Sequence, residues 1–317
     1  MGLSSFLNVL KEVASILNES RKLSLKNKKL MFSVLLLPFL LNVLVYLFNV
    51  FVITPEITNL ILESSLLPTD PNSPDFIAHL MRLLEDFRQF VVSSFLLSTS
   101  SFIINLVSVI VVVHASALAH KDENIKIKDF LVLSLKSWKG PLVTNFYIFL
   151  FGLGCYFLFF IIFFPILLFS STRISSLYFL VAKTGALLIL FAVFELYLAI
   201  VWNLSLVIST LEETYGVQAL GKAAKIVKGM KPKLFLVNLF LGLLCFGLAG
   251  IAKLVGSTSS FVLTLTTGLV LVSLTFAVRM FLFVTYTIAY FQCKSLQGKD
   301  VESLMDVEYA RLLSTTH

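Results

Sequence analysis

Residues 202–244 read "WNLSLVISTLEETYGVQALGKAAKIVKGMKPKLFLVNLFLGLL". An apolar run gives way to the acid pair Glu212–Glu213. A basic stretch with helical spacing follows, and it closes at Gly229 and Pro232 shortly before a second apolar run. The order is span, basic amphipathic connector, span. Lysines belong at the level of lipid headgroups, and Leu, Val and Ile belong towards the acyl chains. The connector therefore lies along a membrane surface.

The rest of the chain agrees with this local reading. Of its 317 residues, 58% are hydrophobic and only 14% charged, with a mean hydropathy of +0.94. A soluble domain of this size runs near ~45–50% apolar and ~25% charged. A soluble fold would have to bury nearly every helix on all sides, which a globule of this length does not provide. The net charge of +7 does not point to nucleic acid. The basic residues occur in short runs beside apolar stretches, and no DNA- or RNA-binding motif is present. A membrane surface bearing anionic lipids accounts for them better.

Six apolar segments lie near 30–53, 90–118, 141–171, 177–209, 234–254 and 259–292. Each meets the requirement of about 20 residues for crossing the hydrocarbon core. Pro38 and Pro165 fall inside two of them and read as kinks. Lys and Arg alternate in the loops: 6 in residues 1–29, 2 in 54–89, 5 in 119–140, 1 in 172–176, 5 in 210–233, 1 in 253–258 and 3 in 293–317. The positive-inside rule places the rich loops in the cytosol, 19 against 4. Both termini are then cytosolic, which needs an even number of spans, and the membrane is that of the endoplasmic reticulum or the cell surface.

Around this frame lie three further segments. In residues 1–29, Leu3, Phe6, Leu7, Leu10, Val13 and Leu17 share one helical face, followed by the basic run "RKLSLKNKK". That is an interfacial helix rather than a signal peptide. The first outer loop carries six acidic residues, and Ser73-Pro74-Asp75 has the composition of a helix start. Ile77, Leu80, Met81 and Leu84 then mark an outer amphipathic helix. Residues 293–317 form a cytosolic tail.

The connector at 215–234 has a counterpart, "KIKDFLVLSLKSWKGPL", at 126–142. An offset of 90 also superposes Gly152 on Gly242 and Cys155 on Cys245, so a weak parallel repeat of span, basic helix and span is expected. Its membrane-surface lysines are Lys126, Lys128, Lys136, Lys139, Lys222, Lys225, Lys228, Lys231 and Lys233.

Two charges stand inside spans. Glu195 is near the middle of the fourth and Arg279 slightly past the middle of the sixth. Each alone costs roughly 2.5–3.5 kcal/mol on insertion scales. An ion pair between them locks the bundle and makes the two spans neighbours. The alternatives are a transport pathway lined by both groups, or no pairing, with Glu195 protonated or facing water. Asn42, Asn49, Asn105, Asn145, Asn203 and Asn238 are interhelical hydrogen-bonding groups. His114 and His120 lack a second ligand at metal spacing, and no metal or cofactor is expected. Cys155, Cys245 and Cys293 lie in or at the inner edge of spans and form no disulfide. Cys293, beside Lys294, is an acylation candidate or an inert thiol. No nucleophile elbow, phosphate loop, HExxH or paired catalytic carboxylates are present. Glu212 and Glu213 read as solvated acids among lysines.

The 202–244 stretch resembles the membrane domain associated with bacterial glycerophosphodiester phosphodiesterases. In that domain a Glu and a Gly precede a basic helix ending in a Leu/Val–Lys–Gly step. The matching residues are Glu212 or Glu213, Gly216, Ala219, Lys225 and Gly229. With its "LKSWKGPL" loop, the chain also resembles a family of uncharacterised plant six-span membrane proteins. The resemblance implies a membrane fold. The catalytic domain of the phosphodiesterases has no counterpart in these 317 residues, so their activity is not implied.

The expectation is an all-α integral membrane bundle of six transmembrane helices plus interfacial amphipathic helices. Residues 1–29 and 293–317 flank a membrane domain at 30–292. The expected function is non-catalytic: a scaffold, adaptor or lipid-associated regulator. A transporter or channel with a polar interior around Glu195 and Arg279 is the alternative. Its partners are membrane lipids and a protein bound through the cytosolic loops, and not nucleic acid.

Overall fold

The computed structural model describes residues 3–26, 28–67, 74–121, 130, 132, 134, 136–171, 177–256 and 260–314. Nearly all of the described residues are helical, with no strand among them. In chain order the helices are α1 (Leu3–Lys26), α2 (Lys28–Phe48), α3 (Thr54–Ser65), α4 (Pro74–Lys121), α5 (Lys139–Ser171), α6 (Leu177–Leu211), α7 (Val217–Ile226), α8 (Lys231–Gly256) and α9 (Phe261–Ser314). Six stretches are long and apolar enough to cross a membrane: Met31–Ser65, Asp75–Lys121, Lys139–Pro165, Val181–Leu211, Lys231–Ile251 and Phe261–Ser295. Each overlaps one of the six apolar segments of the sequence.

The helices run further than hydropathy indicates. A five-residue π-helix, Asn49–Ile53, joins α2 to α3 without a break. Pro55, in the first turn of α3, has no N–H to give the ladder. Just ahead of it the ladder widens, and the Thr54 N–H reaches the Asn49 carbonyl five residues back. The expected outer amphipathic helix is the first part of the 48-residue α4 rather than a separate element. It begins at Pro74 as anticipated, and no Gly or Pro stands between Asp75 and Lys121 to end it. Ser73 lies outside the described residues. The helix also continues through Pro38 in α2 and Pro165 in α5.

The chain forms two compact units. One comprises residues 1–31, 109–244 and 280–317; the other comprises 32–108 and 245–279. The first unit holds α1, α5, α6 and α7, the C-terminal ends of α4 and α9, and the start of α8. Its core includes Val112, Val113, Leu204, Val207, Ile208, Leu234, Val237, Tyr286 and Ile288, all buried. A Cβ on Gly152 of α5 would stand 3.8 Å from Trp202 of α6, and one on Gly242 of α8 would stand 3.8 Å from Leu196 of the same helix. The two glycines matched at an offset of 90 thus both face α6, with room for a methyl group at ordinary contact distance. Beyond Gly152 the α5–α6 seam is aromatic, with Phe159 and Phe191 ring centres 4.1 Å apart.

In α1 the protein-facing side is Val13, Ile16, Ser20 and Leu23, while Leu7 and Leu10 are exposed. The expected stripe is therefore correct at Val13 but turns into the bundle in the second half of the helix. Two polar contacts fix it there. Lys233 meets Glu12 at 2.6 Å, and Gln292 donates to Glu19 at 2.9 Å.

In the second unit, α3 and the first turns of α4 are tied side by side. Ser93 donates to Glu56 at 2.9 Å, and His79 lies 3.2 Å from Glu63. Ile77, Met81 and Leu84 remain exposed, so the apolar stripe of early α4 points away from the protein. Phe39 packs on Phe276 and Phe51 on Phe261.

Candidate functional site

The linker between α6 and α7 is the most densely bonded polar region described, and it begins at Glu212. Only 16% of this side chain is exposed. One carboxylate oxygen accepts from Lys222 of α7. The other accepts from the Tyr290 hydroxyl of α9 at 2.6 Å and lies 3.5 Å from Lys294. Burial pushes the Glu212 carboxyl up. The hydrogen bonds from Lys222 and Tyr290 and the charges of Lys222 and Lys294 outweigh that effect, so the group stays below the ordinary carboxylate value. Glu212 is thus not the solvated acid its lysine-rich surroundings imply. It joins α6, α7 and α9, and its fixing partner Tyr290 lies 78 residues away in sequence.

Four residues later Gly216 turns the chain into α7 with φ +64° and ψ −135°, a conformation that L side chains rarely adopt. Its N–H donates to Thr144 Oγ1 of α5 at 2.9 Å, while the Thr144 hydroxyl donates to the Gly140 carbonyl. A Cβ on Gly216 would stand 3.1 Å from the Tyr147 ring. Of α7 itself, Ala219, Ala223 and Ile226 are buried. The two alanines on this face of a basic helix allow it to lie close on the bundle.

Where the C-terminal ends of α4 and α6 meet the start of α5, a cavity of about 800 Å³ opens. Lys121, Lys136 and Lys139 line it, with His114, Glu212, Glu213 and Tyr215. The three lysines make no ion pair among the described residues. Glu212 is already committed to Lys222 and Lys294. Among the described lining residues, positive charge therefore exceeds that of the acids. His114 is buried and bonds the Ile110 carbonyl of its own helix at 3.0 Å; His120 stacks on Phe291 with ring centres 4.6 Å apart.

The lysines expected at the membrane surface divide into groups. Lys136 and Lys139 line the cavity, and Lys225 and Lys228 are exposed. Lys222 and Lys233 are bound to Glu212 and Glu12. Lys231 donates to the Tyr197 hydroxyl at 2.6 Å and lies over its ring. Lys126 and Lys128 lie outside the described residues. Cys293 is buried against Met230, with the sulfurs 3.1 Å apart, which leaves it inaccessible to an acyl donor.

Glu195 and Arg279 belong to different compact units. Oε1 of Glu195 is buried and has no hydrogen-bond partner. Nη1 of Arg279 donates to Asn105 Oδ1 of α4 at 2.8 Å. Arg279 and Asn105 line a groove of about 360 Å³ in the second unit, together with Asn42, Tyr46, Cys245, Thr275 and apolar residues that include Leu248 and Phe276. Asn238 does join helices, accepting from the buried Tyr286 at 3.0 Å and donating to the Leu196 carbonyl at 3.3 Å. Asn42 instead bonds the Pro38 carbonyl of its own helix. Sequence reasoning missed Glu212 as a junction, and Thr144 and Tyr290 with it. The available signal was the placement of Glu212 and Gly216 in the stretch resembling the bacterial domain.

Among known families, the model of a domain of unknown function, DUF8558, matches residues 6–308. No curated protein matches the chain. No solved structure matches it.

Proposed function

The chain belongs to the DUF8558 family, and we propose that it is a non-catalytic, lipid-associated regulator or scaffold that holds anionic headgroups in its basic cavity. Both termini and the basic connectors face the cytosol of an endoplasmic reticulum or plasma membrane, as the lysine and arginine count indicates. The observation that carries this function is the cavity of about 800 Å³ with Lys121, Lys136 and Lys139 unpaired among the described residues. Basic side chains near the headgroup level contribute about 1 kcal/mol each towards anionic lipid. A phosphate inside the cavity meets three of them, and the exposed connector lysines Lys225 and Lys228 add attraction from outside.

The test uses the full chain purified in detergent, titrated with dioctanoyl phosphatidic acid and with dioctanoyl phosphatidylcholine. The acid binds more tightly, and replacing Lys121, Lys136 and Lys139 together by Gln weakens it by about a hundredfold at low salt, in line with about 1 kcal/mol per lysine. Equal binding of the two lipids, or an unchanged affinity in the triple variant, rejects the proposal. A protein partner on the 119–140 or 210–233 loops is the adaptor form of the same function. It predicts a pull-down partner lost when either loop is replaced.

The transporter alternative is favoured by one observation, the polar groove around Arg279 and Asn105. It predicts that Arg279→Ala and Glu195→Gln abolish flux in reconstituted vesicles while leaving expression intact.

A further inference from the structure

Among the described residues, the groove around Arg279 carries a cation without an anion. Arg279 stands in the apolar stretch Phe261–Ser295, about 27 Å of helix from its start at 1.5 Å per residue. Its guanidinium is permanently charged and offers five donors in a planar fork. One donor goes to the neutral carbonyl oxygen of Asn105. The side chain makes no ion pair among the described residues, and it is exposed within the groove that it lines. Among the described residues, the other polar groups there are amide, hydroxyl and thiol, with no carboxylate. The remaining wall is aliphatic and aromatic, including Leu248, Leu271 and Phe276.

These features describe a ligand. A guanidinium fork matches the two oxygens of a carboxylate or phosphate. An apolar wall suits a hydrocarbon chain, and about 360 Å³ lies within the range of roughly 300–1,000 Å³ typical of small-molecule sites. The helices that carry it are long and apolar enough to cross a bilayer, so the fitting ligand is one that partitions into a bilayer. We propose that this groove binds a membrane-soluble acid, with its oxyanion head on Arg279 and its chain along Leu248, Leu271 and Phe276. Asn105 positions the guanidinium. The site shares no residue with the basic cavity, and each stands without the other.

The experiment measures binding of radiolabelled oleate and of oleoyl lysophosphatidic acid to the full chain in nanodiscs, with acetate and inorganic phosphate as chainless competitors. One amphiphile binds saturably at one per chain, and the preferred head names the acid. Arg279→Gln weakens it at least tenfold, and Arg279→Lys recovers part of the loss. Ala249→Phe, which fills the groove and leaves the charge in place, weakens it as well; this second variant decides the matter if Arg279→Gln does not fold. Binding that is indifferent to Ala249→Phe overturns the proposal, as does competition by acetate or phosphate at equal concentration. A double variant Glu195→Arg/Arg279→Glu that regains the stability lost in both single variants also overturns it, because Arg279 would then have its counter-charge within the chain.

Discussion

At the scale of single residues, Glu212 and Gly216 show how the linker before α7 is specified. Glu212→Gln keeps the bond from Tyr290 but loses its charge towards Lys222 and Lys294. Hydrogen bonds to charged groups are worth roughly 1.5–3 kcal/mol. Lys222 is 43% exposed, so the expected loss is nearer about 1 kcal/mol, seen as a lower melting temperature in detergent. The same group sets a pH dependence. Its folded value is depressed, so its stabilisation is complete above the unfolded carboxylate value of about 4.3 and is lost as pH falls through the folded value. The wild-type melting temperature therefore falls more steeply below about pH 4 than that of Glu212→Gln. Equal slopes would show that the carboxylate is not held by its partners. Gly216→Ala places a side chain in a conformation that costs on the order of 1–3 kcal/mol and drives a methyl onto Tyr147. Gly229→Ala, with nothing within 4 Å of the added carbon, serves as the control and keeps its stability.

At the scale of elements, helix contacts depend on where a backbone can approach. A Cβ on Gly140 would stand 2.7 Å from the Ser209 carbonyl oxygen, so Gly140→Ala must push the start of α5 off the end of α6. The expected loss is about 1–3 kcal/mol, the usual result of overpacking. Gly154→Ala on the same helix meets nothing within 4 Å and is neutral; comparing the two melting temperatures checks the contact. For α1, Val13→Asp puts a charge on the face that docks on the bundle, whereas Leu10→Asp changes an exposed site. Protease accessibility of the N-terminal segment rises in the first variant and not in the second. Hydropathy located the spans but not the ends of these helices. Helix continuity needs only satisfied backbone bonds and no breaker, and polar turns such as those of early α4 meet both conditions.

At the scale of the whole molecule, six long apolar helices carry basic connectors, and the charge alternation makes a prediction about sidedness. Tags on the two ends should report the same face of the membrane, and a tag near Asp70 the opposite one; protease protection in sealed microsomes reads this directly. The class and the number of apolar helices were legible in the sequence because transfer of a segment from water to lipid is nearly a sum over its own residues. Partnerships were not. Sequence reasoning did not foresee that Arg279 bonds Asn105, 174 residues away. It left Glu212 in solvent, whereas the fold surrounds it with Lys222, Tyr290 and Lys294. Composition and hydropathy alone thus determined an all-α chain with six helices able to cross a bilayer. The tertiary structure alone decided which charges meet, because a hydrogen bond depends on ångström distances between segments that leave no local mark on one another's sequence.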